Sequence, residues 1–182
     1  MLGSMASIGV AQSPTASVVS GTTTIMFDSN FVNGLHSLGA TMFDQNSQVL
    51  PNNTISFPAV TGAVDTMTVA GEIEHTGGII VNANGNFIRL ENLTLDMTTP
   101  SAPVITSDIV FFNRFQGRIQ LFNFVRTRGF SVSSDLFTEN ALTLTLAPGV
   151  VSTLNTLFGT QALRVGTFVG TANVSTNLAP VN

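Results

Sequence analysis

A chain of 182 residues that is 43% hydrophobic, only 9% charged and carries a net charge of −4 is long enough for one sizeable core and too apolar for wholesale disorder. Lysine, cysteine, tryptophan and tyrosine are absent. Without cysteine there are no disulfides, thiolate metal sites or cysteine nucleophiles. The basic residues are Arg89, Arg114, Arg118, Arg126, Arg128 and Arg164; so scattered a set builds no phosphate-neutralising stripe, so nucleic acid is not an expected partner.

From the N-terminus, residues 1–21 read as an extended arm, with a cloning remnant within residues 1–5 and no complete signal peptide. Ile8, Val10, Val18 and Val19 give this arm one strand's worth of apolar side chains, which suits it to pair with a neighbour's open sheet edge. Residues 22–176 read as a single β domain. Thr22–Phe27 is its first strand, followed by a helix at about 28–39: Asp28 or Ser29 can cap it, Phe31, Val32, Leu35 and Leu38 fall at helical spacing, and Gly39 ends it. Short apolar runs then recur at Thr41–Phe43, Thr54–Phe57, Thr66–Glu74, Gly78–Asn82, Asn86–Leu90, Leu93–Met97, Val104–Phe112, Arg118–Val125, Gly129–Ser133 and Ala141–Leu146. Turn signals separate them, including Pro58 and Gln116-Gly117, and Asn84-Gly85-Asn86 is the clearest hairpin. A second strand–helix–glycine unit follows, with Val150, Val151, Leu154 and Leu157 at helical spacing in residues 148–158 and Gly159 after them. Gly166–Val174 is the last strand, and residues 177–182 form a tail. The class expected is all-β, an antiparallel sandwich or open barrel, with the two short helices plugging its open ends. No run of about 18 apolar residues is present to span a membrane as a helix.

The order Ile55-Ser56-Phe57-Pro58, Gly71-Glu72-Ile73-Glu74-His75-Thr76-Gly77-Gly78, Leu90-Glu91-Asn92-Leu93-Thr94-Leu95-Asp96 and Leu142-Thr143-Leu144-Thr145 resembles the bacterial HtaA-type domain over roughly residues 22–174. The resemblance implies an antiparallel β fold on a bacterial surface, in some members with haem uptake. Haem-binding members ligate iron through a tyrosine that a histidine supports. His75 matches the histidine, whereas the tyrosine has no equivalent here.

His75 is also the one sharp chemical feature that the residues themselves offer. Its parity with Val69, Gly71 and Ile73 turns it inward, with Glu72 and Glu74 outward. A buried histidine bonded to a backbone carbonyl is the simpler reading, and a haem contact the alternative. Glu72 and Glu74 would lie about 7 Å apart by strand geometry. Without a sugar platform of tryptophan or tyrosine they read as solubilising decoration rather than a glycosidase pair. Asp44-Gln45-Asn46-Ser47-Gln48 supplies one carboxylate where calcium needs several. No metal site and no catalytic residue are expected. In the segment from Val110 to Phe124, Phe122 and Phe124 lie on one parity and Ile119, Leu121 and Val125 on the other, so the strand is apolar on both faces. It is either core or an assembly face, with Phe111, Phe112 and Phe115 as assembly candidates. The reading is therefore a non-enzymatic extracellular or cell-surface structural module, self-associating or bound to other surface proteins, and possessing no cofactor. Filament or layer formation would run through the arm and the sheet edges. The alternative is a module that binds haem or a small apolar ligand.

Overall fold

The computed structural model describes residues 14–46, 50–83, 85–126, 129–133 and 135–179. The strands are β1 (Thr15–Phe27), β2 (Ala40–Asp44), β3 (Thr54–Asp65), β4 (Gly71–His75), β5 (Gly78–Ala83), β6 (Asn86–Asp96), β7 (Val104–Phe111), β8 (Arg114–Val125), β9 (Ser131–Val132), β10 (Leu136–Leu146) and β11 (Phe168–Leu178). Helix α1 (Ser29–Ser37) follows β1, and α2 (Pro148–Phe158) follows β10. The expected antiparallel all-β architecture is present, and its sheet closes. Eight strands run β6-β4-β3-β1-β11-β10-β8-β7 and return to β6 through the β6–β7 ladder, from Ile88 opposite Phe111 to Asp96 opposite Val104. Closure pairs every strand of the ring on both sides over part of its length and so removes the full-length edges that a sandwich or open barrel would have to guard. Alternate side chains fill the interior, among them Ile25, Phe57, Ile73, Leu95, Leu121 and Leu144.

Both helices cap the same mouth. The Asp28 carboxylate accepts from the backbone N–H groups of Asn30 and Phe31 and so starts α1, whereas α2 starts on Pro148 and stops at Gly159 in the left-handed conformation. Phe31 and Leu35 of α1 and Val150 and Leu154 of α2 line one apolar void of about 20 Å³ with Phe27 and Leu146. The expectation of one helix at each end is thereby corrected, because β1 and β10 both run toward this mouth before turning into their helices. At the other end the β3–β4 turn supplies a plug: Asp65 accepts from the N–H groups of Met67 and Thr68, and Val69 is fully buried.

Three further local expectations change. The run Thr15–Gly21, read as arm, is the first half of β1 and pairs in its own chain with β11 on one side and β3 on the other. Val18 is buried within the barrel and is unavailable to a neighbour, while Val19 points outward; Ile8 and Val10 lie outside the described residues. Pro58 does not interrupt β3. It lies where β3 pairs with β1 alone, just before the β4 ladder begins at Ala59 opposite His75, so its missing N–H costs no ladder bond on that side. β4 and β5 are consecutive partners along one edge of β6, broken at Thr76-Gly77. There the sheet forks, and β5 continues to β2 outside the ring.

Candidate functional site

His75 is positioned by the alternation of β4, which buries Ile73 and His75 and exposes Glu72 and Glu74 as the pattern required. Its ring passes over β3, where the residue opposite is the small Ala59, and reaches β1. Nε2 lies 2.7 Å from Thr23 Oγ1, and Nδ1 lies 3.2 Å from the Leu93 carbonyl oxygen. A carbonyl can only accept, so Nδ1 carries the proton and Nε2 accepts from the Thr23 hydroxyl. Burial holds the imidazole below the ordinary histidine range, partly opposed by its bond to Leu93. With 4% exposure and both nitrogens engaged, His75 pins β1, β4 and β6 together. A haem ligand set does not fit these residues: the histidine of the pattern is turned into the core, and the chain has no tyrosine.

The outer wall of β4, β6, β7 and β8 carries a polar groove of about 470 Å³. Glu72 opposes Asp96 and Glu74 opposes Thr94 along its floor. Arg118 occupies the groove and donates four hydrogen bonds, to Thr106 Oγ1, Asp108 Oδ1, the Asn92 carbonyl and Thr94 Oγ1. Asn92 donates in turn to the other Asp108 oxygen at 3.0 Å. This lattice ties three strands at the β6 bulge and commits the groove's arginine to its own wall. No cluster of three histidine or acidic residues able to hold a metal occurs among the described residues. Asp44 instead caps its own turn through Asn46 N–H, while Ser47 and Gln48 lie outside the described residues.

The aromatic segment is neither simply core nor simply surface. Beyond the last β8–β10 pair at Phe122, β7 and β8 run on as an overhang beside β6, whose other edge is paired with β5. Its inner face, with Ile88, Ile109, Phe111 and Ile119, bounds a groove of about 610 Å³ against α2. Its outer face carries Phe87, Val110, Phe112 and Phe115, with exposures of 53% for Phe87, 72% for Phe112 and 66% for Phe115. Single exposed phenylalanines need no explanation, but a contiguous group does. The turn joining β7 to β8 adds a second anomaly. Phe112 and Asn113 both have left-handed backbones, φ 48° and 57°, between the paired residues Phe111 and Arg114. Asparagine tolerates that conformation, whereas an aromatic residue there is strained. The fold thus holds the Phe112 ring outward, 4.2 Å from the half-buried Phe111 ring. Of the sequence-derived candidates, Phe112 and Phe115 come together here and Phe111 serves the inner face; Phe87 was missed. Its alternation with Ile88 marked it as outward, but the β6–β7 pairing that brings it to Phe112 is not written in local pattern.

Buried charge is the other feature that sequence reasoning missed. Glu139 is wholly buried and receives Arg126 Nε on Oε1 at 2.5 Å, while Oε2 and Thr176 Oγ1 have no protein partner. Burial raises the carboxyl above its usual range, and Arg126 opposes the rise.

The fold is similar to that of the C-terminal domain of HtaA from Corynebacterium glutamicum, with a TM-score of 0.67 and 16% identity over 90% of this chain and 99% of that one. It is likewise similar to the domain-swapped dimer of a histidine-to-alanine variant of that domain, with a TM-score of 0.58 and 16% identity over 82% and 91% of the respective chains. The likeness bears out the fold that the sequence resemblance implied, and it is a likeness of fold. The sequence matches no family model and no curated protein.

Proposed function

We propose that this chain is a non-enzymatic β-barrel module of the cell surface that works by contact, with the aromatic outer face of the overhang as its working surface. The observation that carries this reading is Phe112: a strained backbone maintains an exposed ring beside two other exposed rings. A closed barrel suits such a role, because Ile88 and Ile109 on the overhang's inner face are buried in the core and hold the outer face in place. The polar chemistry elsewhere is already committed, with His75 between Thr23 and Leu93 and Arg118 among four acceptors. Haem capture is not the reading favoured, since the histidine that would support it is bonded at both nitrogens.

Self-association has one specific point in its favour, the domain-swapped dimer among the fold's solved relatives. Cell fractionation tests the main reading. The full chain should stay with the envelope and be cut by protease added to intact cells, and the double variant Phe112→Asn, Phe115→Ser should be released. Equal retention of wild type and variant would remove the aromatic face from the account.

A further inference from the structure

We infer that the partner of the aromatic overhang is an anionic lipid surface, which the end of the overhang enters to interfacial depth. This rests on the contact reading above and names the partner. First, the outer face of the projecting end is apolar and exposed at Phe87, Phe112 and Phe115, while on its inner face Ile88 is buried and Phe111 and Ile119 pack against the core. Second, the charge left uncompensated beside the rings is positive. Arg114 begins β8 beside the rings and has no acidic partner among the described residues, and Arg89 holds Asn113 of the turn through Nη1 while pairing with Glu91. Acids with no cation partner among the described residues lie at the opposite end of the same wall. Asp96 and its neighbour Glu72 are nine residues along β6 from Phe87, roughly 30 Å at strand rise. A negative membrane would therefore attract the overhang and repel the far end, orienting the barrel on its tip. Third, depth is bounded by the backbone. β10 pairs with β8 only from Phe122 onward, so the outer edge of β8 near the tip is open. Open edges belong in the headgroup region rather than in hydrocarbon.

Flotation of the full chain with vesicles tests this, using equal parts phosphatidylglycerol and phosphatidylcholine against phosphatidylcholine alone. Wild type should float with the anionic vesicles and dissociate as salt is raised. Phe112→Asn, which keeps the turn and its folding, should bind roughly tenfold more weakly. Arg114→Gln should weaken binding to the anionic vesicles alone. A melting temperature for Phe112→Asn no lower than wild type shows that lost binding is not lost folding. If wild type stays in solution with vesicles yet remains on cell envelopes in a Phe112-dependent way, the lipid inference is overturned and the contact reading stands. A dimer in solution that Phe112→Asn dissolves overturns it in the same sense. Loss of both envelope retention and flotation in wild type overturns the two together.

Discussion

His75 lies where strand parity places it, and its role is decided by its two nitrogens. A neutral ring between a hydroxyl donor and a carbonyl acceptor is a structural tie, and protonating it would set two donors against Thr23 and Leu93. Because its folded pKa is below the unfolded one, the unfolded chain binds the extra proton. Stability from this group is therefore complete above about pH 6.5 and is lost as pH falls toward the folded value. Glu139 has the opposite sign. Its folded pKa is raised, so its contribution is greatest in acid and declines as pH rises through that value. Urea titrations across acid pH should show a loss below about pH 6.5 that His75→Gln abolishes; an unchanged acid limb in that variant would refute the assignment. His75→Ala should cost about 3 kcal/mol, from a core cavity and two orphaned groups. Arg126→Met should cost about 3–5 kcal/mol by leaving Glu139 unpaired, and Glu139→Gln distinctly less. Equal costs for the last two would mean that the pair contributes only packing.

At the scale of elements, the helices were legible and one strand was not. Helix α1 announces itself through Asp28, four apolar residues at helical spacing and a terminal glycine, and nothing in its packing overrides them. Asp28→Ala should lower stability by about 1 kcal/mol, measured by thermal unfolding. In β10, by contrast, Phe137 and Glu139 share one parity with the interior while Leu142, Leu144 and Leu146 share the other. A bulge between Glu139 and Leu142, with Ala141 at φ 57°, switches the register. Read without the bulge, the sequence puts Glu139 outside, which is why the buried ion pair was invisible. The β7–β8 turn yields a prediction of opposite sign. Phe112→Asn should leave stability unchanged or raise it by about 0.5–1 kcal/mol, since asparagine accepts the left-handed backbone. A clear loss in chemical denaturation would show that the exposed ring is structural.

For the molecule as a whole, the all-β class and the antiparallel pattern could be read from short alternating runs, but closure could not. The ring is completed by β6 meeting β7 on one side and both β4 and β5 on the other, a choice made by the break at Thr76-Gly77 rather than by any strand's own pattern. The same limitation hid the working surface. Phe112 and Phe115 were visible as candidates, yet Phe87 joins them only through a ladder, and the acids recede to the far end only because β6 runs the length of the wall. The result is a barrel with one aromatic end and one acidic end. The most direct measurement is site-specific photo-crosslinking on intact cells, with a photoreactive phenylalanine analogue replacing Phe112, Phe115 or Glu72 in separate full-length chains. The account predicts adducts from positions 112 and 115 and none from 72; adducts from 72 with silence at 112 and 115 would contradict it.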